Sequence, residues 1–95
     1  MKKPQTDRFE SIWDAIADTL DDAANLRARS ELMDKISELI VATGWTQVEA
    51  AAQCGLTQPR ISDLLRGRIS RFSLDALVNI AVALGQRVHV ELAAA

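Results

Sequence analysis

Residues 45–68 of this 95-residue chain read WTQVEAAAQCGLTQPRISDLLRGR. Thr46, followed by a glutamate three positions later, fits a capping box, in which two side chains satisfy backbone N–H groups at a helix start. Gly55 permits the positive φ that ends this first helix after about two turns. Thr57 predicts the N-cap of a second helix, and Pro59 fits its first turn, where the missing N–H costs nothing. The stretch therefore predicts two short helices joined by a tight turn.

The apolar residues of this stretch have the spacing that a helix-turn-helix requires. Ala51 is small at the expected helix crossing, and the glycine stands at the corner between the helices. A structural hairpin that binds no DNA can show the same pattern. We favour a DNA-binding helix-turn-helix and keep the structural hairpin as the alternative. The positions expected to face inward are Ala50, Cys54, Leu56, Ile61 and Leu64.

The outward face of the second helix carries side chains that can contact bases. In a DNA-binding helix-turn-helix, this helix enters the major groove with its N-terminus first. A glutamine can pair with an adenine edge, an arginine with guanine, and a rigid proline can touch a thymine methyl group. We therefore expect base contacts from Gln58, Pro59, Arg60 and Ser62.

Residues around the second helix are suited to the DNA backbone. Gln47 stands at the start of the first short helix, where free N–H groups favour a phosphate. The arginines and serines that follow the second helix supply cations and hydroxyl donors, although a solvated cationic loop is the alternative interpretation. The expected phosphate contacts are Gln47, Arg66, Arg68, Ser70, Arg71 and Ser73.

Charge is distributed unevenly along the chain. The net charge is −2, and residues 1–44 carry −3, whereas residues 55–71 hold four arginines against one aspartate and carry +3. The local field, and not the total charge, determines whether a phosphate backbone is attracted. The single aspartate, Asp63, has three possible roles: contact with a cytosine amino group, an ion pair with Arg60 or Arg66, or repulsion of wrong contacts.

Helical periodicity continues on both sides of this unit and predicts an all-α fold of five helices. An acidic amphipathic helix begins at Phe9, a break falls at Asp21-Asp22, and the next helix ends at Gly44. Ser73 caps the last helix. We expect a flexible arm over residues 1–8 and a single domain over 9–95, with the helix-turn-helix core at 31–85 and a strand at 86–93.

The predicted strand rests on a change of period near the carboxyl end. Val88, Val90 and Leu92 alternate with polar residues, which is typical of a strand. A lone strand in a helical domain has no partner in its own chain, so it must pair with another chain or fray. We expect these three residues to form a two-fold antiparallel ribbon in a homodimer.

Composition excludes several classes of protein. One cysteine and one histidine provide neither a disulfide nor a metal site with several thiolate or imidazole ligands. We therefore expect no cofactor, no metal and no enzymatic activity. No apolar run approaches the roughly 18 residues that a membrane span needs, and the amino end lacks the apolar core of a signal peptide. These features predict a cytoplasmic protein with no membrane partner.

The stretch 45–68, followed by FSLDAL at 72–77, resembles the XRE (Cro-type) helix-turn-helix family. It is similar in particular to the HigA-like antitoxins and phage-associated regulators, as are DAANLRARSEL at 22–32 and ALGQRVHVEL at 83–92. The resemblance covers about residues 9–92. It implies a λ-repressor-like core that dimerises on a palindromic operator, and it implies neutralisation of a small ribonuclease toxin. Gln47 matches the family's phosphate-approaching glutamine, and residues 58–60 match its base-contacting helix start.

The residues predict a sequence-specific DNA-binding repressor. The resemblance implies that it is the antitoxin of a HigBA-type toxin–antitoxin pair, which represses its own operon and neutralises an mRNA-cleaving toxin. A stand-alone regulator of phage type and a protein-interaction module that binds no DNA are the alternatives. The acidic amino-terminal helix suits a small basic toxin through charge complementarity. The candidate toxin-facing residues are Trp13, Asp14 and Asp18.

Overall fold

The computed structural model describes the backbone of residues 8–94 and the side chains of residues 22–94. The described part of the chain is mainly helical, as predicted. Its elements, in chain order, are α1 (Arg8–Thr43), α2 (Gln47–Cys54), α3 (Gln58–Leu65), a 3₁₀ turn (Ile69–Arg71) and α4 (Leu74–Ala83).

Helix α1 is uninterrupted over 36 residues, so the predicted break at Asp21-Asp22 is wrong. The described residues consequently form four α-helices and not five. The helix contains neither glycine nor proline, and two alanines, which are the best helix formers, follow the aspartates. An aspartate costs roughly 0.7 kcal/mol or less relative to alanine in a helix, so two of them do not end one. Gly44, with φ 75°, ends α1 as predicted.

The hydrophobic core lies between the carboxyl-terminal half of α1 and the helices α2, α3 and α4. Four of the five predicted inward positions of the helix-turn-helix are buried, whereas Leu56 packs against the core and is only partly buried. Leu39 and Leu74 are 37% and 36% exposed and lie at the edge of this core. The buried residues outside α2 and α3 are Met33, Ile36, Ile40, Phe72, Leu77, Ile80 and Ala81.

Residues 86–94 follow α4 without regular secondary structure. Val88 packs against the core and is partly buried, while Val90 and Leu92 are 78% and 94% exposed. A strand needs a hydrogen-bonded neighbour, and within the described single chain this segment has none. The predicted ribbon can therefore form only if residues 86–93 pair with a second chain.

No helix among the described residues combines the length and the apolar character that a membrane crossing requires.

Candidate nucleic-acid interface

Helices α2 and α3 form the helix-turn-helix unit, and the turn 55–57 joins them. Gly55 has φ 68° and ψ 31°, a left-handed conformation that glycine adopts without steric cost. The Leu56 N–H donates to the Ala51 carbonyl at 2.9 Å and closes the end of α2. Ala51 is 7% exposed, and its small side chain lets the two helices approach closely. The predicted turn chemistry is confirmed.

Side-chain caps fix where each helix begins. The Thr46 hydroxyl accepts from the Glu49 N–H at 3.1 Å, and the Glu49 carboxylate accepts from the Thr46 N–H at 2.8 Å. The Thr57 hydroxyl accepts from the Arg60 N–H at 3.3 Å, and Ser73 caps α4 in the same way. The predicted caps are confirmed. Because a cap sets the first helical residue, these contacts place a glutamine at the start of both α2 and α3.

The amino ends of α2 and α3 share one open surface. A shallow depression of about 290 Å³ is lined by Gln47, Gln58, Pro59 and Ser62. The structure thus brings together the predicted phosphate-contacting glutamine and three of the four predicted base-contacting residues. The first turn of α3 carries no acidic side chain, so the partial positive charge of the helix N-terminus is not neutralised there. This concave polar surface suits an anionic or hydrogen-bonding ligand.

Arg60 does not line this depression. Its guanidinium carbon lies 4.1 Å from the centroid of the Phe72 ring, and Nη1 donates to the Arg71 carbonyl at 2.8 Å. The side chain is therefore directed toward the segment that follows α3. In the free protein, one face of the guanidinium and one of its N–H donors are already engaged.

Asp63 pairs with two arginines of the segment that follows α3. Its Oδ2 accepts from Arg71 Nη1 at 3.1 Å, and its Oδ1 lies 3.7 Å from Arg68 Nη1. Among the three roles considered, ion pairing is the one that the structure shows, but the partners are not Arg60 or Arg66. Arg68 and Arg71 keep 43% and 55% of their side chains exposed. Both can therefore still reach a partner outside the chain.

The remaining predicted phosphate-contacting residues lie in the same segment, residues 66–73, which we call the basic loop. Arg66 is the C-cap residue of α3 and is exposed, as is Ser70. The Ser73 hydroxyl accepts a hydrogen bond at the start of α4, and its own proton remains available to donate. The basic loop thus presents three arginines and two hydroxyl groups beside α3.

Arg29, which sequence reasoning missed, fastens the basic loop to α1. Its Nη1 lies 3.2 Å from the Ile69 carbonyl and 3.2 Å from the Phe72 carbonyl, and its Nε donates to Asn25 Oδ1 at 2.7 Å. The acceptors in the loop lie 40 and 43 positions away in the sequence. No local pattern could have revealed this contact.

Cys54 has the environment of a core residue. Its side chain is 5% exposed, and burial raises the pKa of the thiol above its ordinary value. A thiol with a raised pKa is a poor nucleophile and a poor metal ligand at neutral pH. Among the described residues, no three His, Cys, Asp or Glu side chains are grouped as a metal site requires. Cys54 therefore packs α2 against the core.

The candidate toxin-facing residues Trp13, Asp14 and Asp18 belong to the amino-terminal part of α1. Their side chains lie outside the described residues.

Residues 15–93 match a family model described as a helix-turn-helix domain. The chain therefore belongs to the helix-turn-helix domain family. This match covers the capped helices and the turn that form the open surface, and it extends over residues 15–43 of α1 and over the carboxyl-terminal segment to residue 93.

The fold is similar to that of a solved chain described as an XRE family transcriptional regulator. The TM-score is 0.72 at 27% sequence identity, and the similarity covers 78% of this chain and 83% of that chain. No curated protein matches the sequence. The solved chain supports the predicted resemblance to the XRE family, whereas the HigA-like subgroup stays a prediction.

Proposed function

We propose that this protein is a DNA-binding transcriptional regulator that acts as a sequence-specific repressor. The helix-turn-helix family and the XRE structural neighbour support the broader description. The observation that carries the proposal is the surface where Gln47, Gln58, Pro59 and Ser62 meet. It combines the amino ends of two helices, which favour phosphate, with side chains that can hydrogen-bond or pack against base edges.

In the proposed complex, α3 enters the major groove with its amino end. Gln58 pairs with a base edge, and Pro59 and Ser62 contact neighbouring bases. Phosphate contacts from Gln47 and the basic loop fix the orientation without carrying sequence information. We predicted Arg60 as a fourth base-contacting residue. Because its guanidinium is held at Phe72 and Arg71, we leave it out of the proposed base contacts.

The base-contact assignment is tested by Gln58→Ala, with Gln53→Ala as the matched control. Both glutamines are exposed, but only Gln58 lines the depression. Fluorescence anisotropy compares a duplex from the protein's own promoter with an unrelated duplex at several salt concentrations. We expect Gln58→Ala to lower the discrimination between the duplexes by about 1–3 kcal/mol, and Gln53→Ala to preserve it.

Two results would count against the proposal. Unchanged discrimination in Gln58→Ala would refute its base contact. If the wild-type protein bound neither duplex in a salt-dependent manner, the chain would instead be a protein-interaction module. Both as a DNA-binding regulator and as a protein-interaction module, the proposed protein binds another macromolecule and catalyses no reaction. Since its target is chromosomal DNA, the proposed location is the cytoplasm, at the nucleoid.

We further propose that the repressor is a homodimer on a palindromic operator, with half-sites about 34–36 Å apart. The exposure of Val90 and Leu92 in the single chain supports pairing of residues 86–93 with a second copy, with Val88 also in the ribbon. Light scattering after size exclusion should give about twice the 10.4 kDa of one chain. Val90→Asp should give the monomer mass, whereas Val41→Asp, at another exposed valine, should not.

The antitoxin role is the finer part of the proposal. The charge of −3 over residues 1–44 supports a basic partner, and Trp13, Asp14 and Asp18 are the proposed contacts. A short open reading frame beside this one, encoding a small basic protein that co-purifies with the chain and is inhibited by it, would support the role. If no such neighbour exists, the protein is a stand-alone regulator of phage type.

A further inference from the structure

The basic loop is held in place by guanidinium groups that bind its backbone. Arg60 of α3 donates to the Arg71 carbonyl at 2.8 Å, and Arg29 of α1 binds the Ile69 and Phe72 carbonyls at 3.2 Å each. Three backbone carbonyls of this short segment thus accept hydrogen bonds from side chains of two helices. Within the loop itself, the backbone bonds of the 3₁₀ turn span only three residues.

Arg60 is the link between this loop and the helix proposed to contact bases. Its backbone N–H is part of the α3 cap at Thr57, while its guanidinium stacks on Phe72 at 4.1 Å. Phe72 is 1% exposed, so the ring that Arg60 covers is fixed in the core. A planar guanidinium on an immobile ring, with an N–H aimed at a carbonyl, has little freedom to turn elsewhere.

Resting on the proposed function, we propose that Arg60 is a positioning residue that fixes the basic loop at a set distance from α3. Gln58 and the loop arginines must contact bases and phosphates at the same time. If the loop were loose, the phosphate contacts of Arg68 and Arg71 would each cost conformational entropy on binding. Arg60 removes part of that cost, and it acts through Arg68 and Arg71 without contacting a base.

The test is Arg60→Lys, with Arg27→Lys at an exposed position of α1 as the matched control. Both changes conserve charge, but lysine has no planar group to stack and no fork of donors. In the protein alone, we expect the Ile69, Arg71 and Phe72 amides of Arg60→Lys to exchange hydrogen about tenfold faster. Arg27→Lys should exchange like the wild type.

The DNA titrations then separate positioning from base contact. We expect Arg60→Lys to bind the promoter duplex and the unrelated duplex more weakly by the same factor, about three- to tenfold, with a shallower salt dependence. A loss confined to the promoter duplex would overturn the inference, because it would identify Arg60 as a base contact. Unchanged exchange and unchanged affinity would also overturn it.

Two further outcomes are distinguishable. If the wild-type protein binds no DNA, the proposed function fails, and the exchange rates alone decide whether Arg60 holds the loop. If Arg60→Lys does not fold, Phe72→Leu removes the ring while keeping an apolar side chain in the core. It should then reproduce the faster exchange and the uniform loss of affinity, and wild-type behaviour of this variant would refute the role of the stack.

Discussion

Replacing Asp63 by asparagine should make the protein bind DNA more tightly, whatever the sequence of the DNA. The carboxylate holds Arg71 at 3.1 Å and Arg68 at 3.7 Å, so a phosphate must compete with it for both side chains. The two arginines are about half exposed, and water screens such pairs to about 0.2–1 kcal/mol each. Releasing both should therefore strengthen binding by about 0.4–2 kcal/mol, or roughly two- to thirtyfold.

Fluorescence anisotropy with the promoter duplex and an unrelated duplex measures this effect. Asp63→Asn should strengthen both complexes equally and make the logarithm of the binding constant fall more steeply with salt, by about 0.9 for each added phosphate contact. Asp34→Asn, at an exposed site on α1, controls for the change in net charge. Binding of Asp63→Asn equal to or weaker than wild type would refute the competition and show that the pairs instead hold the arginines ready for DNA.

Three further predictions concern stability. Thr57→Ala removes the α3 cap and should lower the free energy of unfolding by about 1 kcal/mol, measured by urea denaturation; an unchanged midpoint would contradict the capping role. Leu64→Ala truncates a fully buried side chain and should cost about 2–5 kcal/mol, whereas Val41→Ala, at an exposed position outside the proposed ribbon, should cost little. Because burial raises the pKa of the Cys54 thiol, the unfolded chain loses this proton first, so stability should fall as pH rises above about 8.5. Cys54→Ala should remove that part of the pH dependence.

The helix-turn-helix could be predicted because its determinants are local. The capping box lies within four residues, and the positive φ of Gly55 is a property of the glycine itself. The buried positions follow from helical spacing once the two helices are placed. For the same reason, Gln58 and Ser62 were placed correctly on one face of α3, where they line the depression with Gln47.

Sequence reasoning reaches its limit where distant contacts decide the structure. The direction of the Arg60 side chain depends on Phe72, twelve positions later, and the partners of Asp63 depend on the path of the basic loop. Asp21-Asp22 is compatible with either a helix break or a helix interior, because aspartate favours helix starts yet costs little inside a helix. In the structure, Asp21-Asp22 lies inside α1. A strand for Val88 and its neighbours needs a second chain, so one sequence cannot decide it.

The continuity of α1 has a geometric consequence for anything bound near its amino end. From Arg8 to Arg29 the axis measures about 32 Å at 1.5 Å per residue, and Arg29 is anchored to the basic loop. A protein bound at the amino end of α1 would therefore lie at a fixed distance from the DNA-facing side and at a fixed angle about the helix axis. Inserting one residue upstream of Arg29 would rotate that protein by about 100°, whereas inserting seven would restore nearly the same azimuth after two turns. Whether that protein and DNA can be bound at the same time would then depend on the angle about the α1 axis between their two sites.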